Sequence, residues 1–409
     1  MPPKGRQHPD AQRHVVISGW YGHGNVGDEA LLRVFCRELR KRAPVRITVL
    51  SENPKGVLAM HPDLSLKTVH HWPLIGIEGA QQLIRGRHRG LFQVMRSADL
   101  FVLGGGSLLS DNTTWKNFFR VIDELWLARL HDLPTALYAV GVGPFRSRLG
   151  KRLVGRAVRH AGVITVRDAE SRQHLIDTGI APDRVRVVTD PAFLLPAEPA
   201  SDADLGSDIQ DLMARGEPMA FVYPTDLPEL SPGGLDRETA IGEIARGLDR
   251  LAADQGLSIV FVPFQHNRAH NDLRVAHDII NRMEQADRCF VLRKTLPAEE
   301  AKFLATLPKV NICVRLHAFI FAASQGCPAV ALNYEPKVRN NARHFRIEDA
   351  VAEIAPGLGD DLYTRAVAAL QGRNVIDDAR LVELADGARE TFDRIAELLG
   401  APRSRSHAA

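Results

Sequence analysis

The chain has 409 residues, long for a single core and suited to two domains. Hydrophobic residues make up 45% and charged residues 25%, an ordinary globular balance, and the net charge of +3 gives no electrostatic case for nucleic acid; no Lys/Arg-rich block stands out. No apolar run reaches the ~18–20 residues of a membrane span, and the polar segment Met1 to Arg13 lacks an apolar stretch of signal-peptide length.

Apolar, strand-like runs alternate with helix-like segments. In the first half the strands are Val15–Ser18, Arg46–Leu50, Leu100–Leu103, Thr135–Val140, Val163–Val166 and Val185–Val188. Helical patterns fall at Glu29–Arg42, Asn117–Leu130, Lys151–His160 and Ala169–Thr178, and the Gly- and Arg-bearing residues 75–90 read as an exposed loop with some helix. Such alternation predicts a parallel sheet covered on both faces. The acidic, proline-bearing stretch from Pro196 marks a linker over 198–217, between an N-terminal domain over 14–197 and a C-terminal domain over 218–400. There the strands are Met219–Tyr223, Ser258–Val262, Cys289–Leu292, Val310–Val314 and Ala329–Leu332. The helices are Arg237–Gln255, Leu273–Gln285, Ala298–Ala305 and a helical stretch over Leu362–Leu399. Residues 1–13 and 401–409 are expected to be disordered. The fold class is α/β, two domains of similar size with a central cleft between them.

None of the four cysteines (Cys36, Cys289, Cys313, Cys327) forms a CxxC pair, and three lie in apolar contexts. Reduced thiols in a reducing compartment follow, hence a cytoplasmic protein with at most peripheral membrane contact.

Several segments suit ligand chemistry. Arg315-Leu316-His317 follows an apolar strand, and Lys337 follows the next. A fixed cation, an imidazole and a lysine therefore gather at the carboxyl ends of adjacent strands, where open α/β sheets bind ligands. A small, multiply charged anion that must also receive a proton suits that set. Gly22-His-Gly-Asn-Val-Gly27 matches GxGxxG, and Glu52 after the second strand could hold a ribose. Against a dinucleotide, the turn begins several residues after the strand, and Asp28 and Glu29 place negative charge where a pyrophosphate needs positive potential. The other readings are a turn presenting Asn25 and Asp28 to hydroxyl groups, or Asp28 as a helix cap. Gly104, Gly105 and Gly106 with Ser107 end a strand in backbone that a ligand can approach, with Asp111, Asn112 and Thr113 beyond. Gly141-Val-Gly-Pro144 ends the next strand in the same way. Arg167 ends another strand, before a helix that Asp168 or Ser171 can cap. His266, His270 and Asp272 have no metal-ligand spacing, so no metal is predicted.

The ordered set Gly19-Trp-Tyr-Gly-His-Gly-Asn-Val-Gly-Asp-Glu-Ala-Leu-Leu32, Gly104-Gly-Gly-Ser-Leu-Leu, Gly141-Val-Gly-Pro, Val166-Arg-Asp-Ala-Glu-Ser, Thr189-Asp-Pro-Ala-Phe, Val314-Arg-Leu-His-Ala and Tyr334-Glu-Pro-Lys337 resembles the polysaccharide pyruvyl transferase family. The resemblance implies a glycosyltransferase-B-type architecture of two Rossmann-like domains facing a central cleft. It also implies transfer of the enolpyruvyl carbons of phosphoenolpyruvate to a sugar as a ketal, with release of phosphate. The implied acceptor is a sugar of a cell-envelope polysaccharide or glycolipid precursor, free or lipid-linked. Phosphoenolpyruvate is a co-substrate and no cofactor is implied. By resemblance Arg167, Arg315 and Lys337 bind phosphoenolpyruvate and His317 is the general acid. Glu335 stands where the family pattern usually has Asp. Asp28 or Asp111 on the acceptor side is expected to take the hydroxyl proton, with Asn25 and the Gly104–Ser107 loop against the sugar. The competing readings are a nucleotide-sugar glycosyltransferase of the same architecture and a non-catalytic anion- or sugar-binding protein. The presence of Arg315, His317 and Lys337 together argues against the latter.

Overall fold

The computed structural model describes residues 12–74, 76–111, 114–200, 205–231, 233–267 and 271–401. They form two compact units. The first takes the chain through His23, Leu31–Val188 and the chain from Gly387; the second takes Gly24–Ala30 and Thr189–Asp386.

The first unit is built on a parallel sheet of β1 (Arg13–Ser18), β2 (Val45–Ser51), β3 (Lys67–His70), β4 (Leu100–Gly104), β5 (Thr135–Val140), β6 (Val163–Val166) and β7 (Arg186–Val187). Their order is β3-β2-β1-β4-β5-β6-β7. Residues 15 to 18 of β1 and all of β4 and β5 are buried throughout, because helices cover both faces. Val15 pairs with Ile47 on one side and with Leu100 on the other. The sheet therefore reverses its winding between β1 and β4, and their carboxyl ends flank the topological switch point.

The second unit repeats this plan with β8 (Met219–Tyr223), β9 (Ser258–Phe261), β10 (Cys289–Val291), β11 (Val310–Cys313), β12 (Ala329–Asn333) and β13 (Val351–Glu353). The order is β10-β9-β8-β11-β12-β13, all parallel, with its switch between β8 and β11. Side-chain caps begin many helices. Asp168 accepts from the Ser171 amide, Asp236 from Thr239 and Thr114 from Asn117. Gly256, in the left-handed region, ends the helix Arg237–Gln255.

The structure corrects several expectations. Strands β3 and β13 went unread because Lys-Thr-Val-His and Val-Ala-Glu offer hardly any apolar run to read. Helices Gly76–Ile84 and Arg89–Ser97 occupy most of the stretch read as an exposed loop with some helix; Ile75 lies outside the described residues. The segment read as linker contains a helix, Ser207–Ala214, that buries Ile209 and Leu212. Arg13 already belongs to β1, while residues 1–11 and 402–409 lie outside the described residues. The domain expected to run to residue 400 gives up its end. In the helix Asp378–Gly400, Phe392 packs on Phe35 and Tyr138, and Thr391 hydrogen-bonds Thr165 at 2.7 Å, so the last turns belong to the first unit. All four cysteines are unpaired, and burial pushes the Cys36 thiol up to about 12. Among the described residues no helix is long and apolar enough to cross a membrane.

Candidate active site

In the second unit, β11 delivers Arg315 and His317 to the switch point. The amides of Val314 and Arg315 both donate to the Tyr223 carbonyl at the end of β8, at 3.1 and 3.2 Å. Arg315 opens the helix Leu316–Ser324 without capping it. Its guanidinium turns instead to Asp272, with Nε 3.2 Å from Oδ2 and Nη2 2.6 Å from Oδ1. Asp272 is 1% exposed, and its Oδ2 also accepts the amides of Phe264 and Gln265 at 3.0 and 2.8 Å. Burial pushes the Asp272 carboxyl up, and the Arg315 charge opposes that rise. The bidentate fork of Arg315 is engaged by a protein carboxylate, and Asp272 serves as its anchor. His266 bonds Asn271 at 3.0 Å, His270 lies outside the described residues, and no metal-holding group of His, Cys, Asp and Glu occurs among the described residues.

His317 sits in the first turn of the same helix. Its Nε2 lies 3.9 Å from Asp190 Oδ2, while Asp190 Oδ1 accepts the Ala192 amide at 3.0 Å and so caps the turn Pro191–Leu194. Asp190 is 1% exposed and the His317 side chain 13%. Another neighbour of the imidazole is Gly27, where a Cβ would come within 2.0 Å of Nδ1. Glycine at position 27 is what leaves room for the ring.

That glycine belongs to the first turn of the helix Val26–Arg42, whose start is fixed within the same unit. The Val26 amide donates to the Phe264 carbonyl at 3.1 Å, the Asn25 carboxamide accepts the Gly27 amide at 3.1 Å, and Glu29 accepts the Gly24 amide at 3.3 Å. Asn25 is therefore the cap, the role weighed above for Asp28. Asp28 lies inside the first turn and is 8% exposed. Both stand with His317 in the second unit, not on the acceptor-side domain to which the sequence assigned them. The glycine pattern has local steric causes: Gly22 and Gly24 take positive φ, Gly22 lies against Asn53 and Val57, and Gly27 makes room for His317. Glu52 pairs with Arg120 at 3.4 Å.

Lys337 opens the helix Pro336–Phe345 at the end of β12, the neighbour of β11, and its ammonium lies 2.6 Å from Glu335. It also stands over the Tyr334 ring at 5.2 Å. Arg315 and Lys337 thus leave the same sheet edge, each already facing a carboxylate. Lys302, 1% exposed, donates to the carbonyls of Ala192 and Phe193 at 3.4 and 2.9 Å, holding the turn that Asp190 begins. Burial brings this lysine down to about 7.

The first unit carries the rest of the predicted set. Arg167, at the end of β6, is 2% exposed and donates from Nη2 to Ser107 Oγ at 2.7 Å. A Cβ on Gly141 would lie 2.9 Å from that hydroxyl and 3.1 Å from Nη2, so Gly141 makes way for the pair. Gly105 and Gly106 take positive φ and extend the ladder beyond β4: Gly105 donates to Tyr138 and Gly141 donates to Gly106, at 3.2 and 2.9 Å. Gly104 packs against Tyr138, and the Tyr21 hydroxyl donates to its carbonyl. Asp111 is a correction. Its Oδ1 accepts the Arg146 amide at 2.6 Å, and its Oδ2 accepts the Ser147 amide and hydroxyl at 2.9 and 2.6 Å. Burial alone would raise this carboxyl, but the donors outweigh it and hold it below the usual carboxylate range. A carboxylate so occupied anchors a loop; it does not suit a general base. Asn112 and Thr113 lie outside the described residues.

Sequence reasoning gave Asp190, Gly27 and Lys302 no role at the site. Asp190 had a signal, an Asp-Pro turn after a strand. The partnership of Gly27 with His317 joins positions far apart in sequence, and Lys302 sits in an amphipathic helix where nothing marks it as buried.

The fold has close structural counterparts. A putative UDP-N-acetylglucosamine 2-epimerase from Listeria monocytogenes superposes with a TM-score of 0.59 at 12% identity, covering 94% of each chain. UDP-GlcNAc 2-epimerase from Methanocaldococcus jannaschii gives 0.61 at 12% identity, covering 93% of this chain and 98% of its own. Alr3699/HepE of Anabaena, solved with UDP-glucose, gives 0.60 at 12% identity over 94% and 98%. At such identities the likeness is one of fold: two Rossmann-like domains of the glycosyltransferase-B type. No curated protein matches the sequence. The model of the polysaccharide pyruvyl transferase family matches residues 25–336, a span that holds Arg167, Asp190, Arg315, His317 and the start of the helix before Lys337. The chain belongs to the polysaccharide pyruvyl transferase family.

Proposed function

We propose that the protein uses phosphoenolpyruvate to form a pyruvate ketal on a sugar of a cell-envelope polysaccharide or glycolipid precursor. The observation that carries the proposal is the His317 imidazole, set at a topological switch point with the buried Asp190 carboxylate 3.9 Å from Nε2. A neighbouring carboxylate favours the charged imidazolium, the form able to give up a proton. His317 protonates the methylene carbon of phosphoenolpyruvate, and positive charge develops at the carbon bearing the phosphate. A sugar hydroxyl adds there and gives its proton to a base, for which Asp28, next to Gly27, is the candidate. Phosphate then leaves with the C–O bonding pair, and a second hydroxyl closes the ketal and loses its proton. Arg315, braced by Asp272, and Lys337 supply positive charge for the phosphate and carboxylate, and Arg167 is the further cation assigned to the co-substrate. Asn25, Gly104, Gly105, Gly106 and Ser107 are assigned to the acceptor.

A nucleotide-sugar reaction is the alternative, favoured by the UDP-glucose that the Anabaena counterpart was solved with. The test is phosphate release from phosphoenolpyruvate across a panel of synthetic and lipid-linked glycosides, beside thermal shifts with UDP-sugars. His317→Ala and His317→Gln should both remain folded and lose about 10²–10⁴-fold in rate. An active glutamine variant removes His317 as the acid. Stabilisation by UDP-sugars without phosphate release favours the alternative.

A further inference from the structure

One surface of the first unit plays no part in this chemistry. The helix Arg148–Val158 buries Gly150, Val154, Gly155, Ala157 and Val158 on one side. Its other side is cationic. Residues 146–160 hold six Arg or Lys and no Asp or Glu, in a chain whose net charge is only +3. The expectation of no basic block is thereby corrected: spread over fifteen positions the charges look dilute, and helical geometry gathers them. Lys151 pairs with Asp177 at 3.6 Å, whereas Arg148, Arg152, Arg156 and Arg159 pair with no carboxylate among the described residues. The end of the helix Trp115–Leu130 lies beside this face. Trp126, Arg129 and Leu130 line a shallow depression with Arg156, Arg159 and His160. Large apolar groups are uncovered here: Trp126 is 46% exposed, Leu130 76% and Leu149 57%. Partial burial, with the positive field of Arg129, Arg159 and Arg184 added to it, pushes the His160 imidazole down.

We propose that this face docks the protein on an anionic lipid bilayer. Uncompensated arginines answer an anionic partner. Leu130, Leu149 and the Trp126 indole answer an apolar layer beneath the charged one. A basic helix flanked by Trp and Leu is the composition of interfacial binding. Nucleic acid or free phosphate would leave the aliphatic groups in water, and a second copy of this chain would set cations against cations. The inference is independent of the reaction proposed above.

The experiment is co-sedimentation of the full chain with vesicles of phosphatidylcholine alone and of phosphatidylcholine with about one quarter phosphatidylglycerol. Binding is expected only to the anionic vesicles and should weaken as salt is raised. Arg152→Glu with Arg156→Glu should lower partitioning by on the order of 25-fold or more, at roughly fivefold for each charge lost near the surface. Leu130→Ser with Trp126→Ser should lower it as well. All four positions are exposed, so melting temperatures should hold; Arg152→Gln with Arg156→Gln serves if the glutamates perturb the helix. Equal binding to neutral vesicles overturns the proposal. So does anionic binding that survives either pair of substitutions, or retention of heparin or RNA by a protein that ignores the vesicles.

Discussion

Replacing Gly27 by alanine tests the placement of His317 without touching His317. Gly27 lies in the first turn of a helix, outside the left-handed region, so the backbone accepts alanine. Alanine gains roughly 0.5–1 kcal/mol over glycine in a helix. The new Cβ, however, would lie 2.0 Å from His317 Nδ1, 2.3 Å from Cγ and 2.7 Å from Cε1. Ordinary contact begins near 3.4 Å, so the ring must move by more than an ångström or turn away from Asp190. Overpacking of this kind costs about 1–3 kcal/mol, leaving a net destabilisation of at most about 2.5 kcal/mol. The fold should survive. The rate should not, because an ångström of misplacement at a reacting group is worth about 10²-fold. The assay is phosphate release from phosphoenolpyruvate in the presence of an acceptor glycoside, beside a thermal melt. Expected are a rate about 10²-fold lower and a melting temperature within a few degrees of the parent. In His317→Ala, adding Gly27→Ala should cost nothing more, since both changes act on one group. A Gly27→Ala enzyme within about threefold of the parent rate, or losses that multiply in the double variant, would refute the reasoning.

Asp190→Asn keeps an oxygen to accept the Ala192 amide but removes the charge beside His317. It should cost about 10- to 100-fold in rate and move the alkaline limb of the pH–rate profile, where the protonated acid is lost, to lower pH, with melting unchanged; an unaltered profile would mean that Asp190 only builds the turn. Asp111→Ala should act on stability, lowering the melting temperature as three donors lose their acceptor. The difference from the parent should fade below the usual carboxylate range, where the depressed Asp111 pKa is crossed and the parent loses the same contribution. A general base would instead show a rate loss at unchanged stability. Lys302 is brought from 10.5 down to about 7 by burial, so between those values the unfolded chain holds a proton that the folded chain has released. Stability of the parent should therefore gain with rising pH across that window relative to Lys302→Met, which has no such group. Parallel melting curves from pH 7 to 10 would show that the lysine is not perturbed.

The alternation of apolar runs with amphipathic segments determined the architecture before any coordinates. Central strands covered on both faces must be apolar on both sides, which is why β5, β6 and β8 were readable to the residue. Short edge strands follow no such rule: the pattern caught β7 and β10 but missed β3 and β13. The ordered motifs determined which sheet edges carry the chemistry, because residues such as Arg315 and His317 follow directly on a strand. Partnerships belong to the tertiary structure. Arg315 read as a free fork for an anion, and only the close approach of Asp272 across 43 positions shows the fork engaged. Asp111 read as a base until the amides of residues 146 and 147 closed on it. Gly27 read as the last glycine of a turn presenting Asn25 and Asp28, and only the His317 ring against it explains why it bears no side chain. A motif records which groups a site can use, whereas what each group faces depends on chain segments brought together by burial, and spacing along the sequence carries no trace of them.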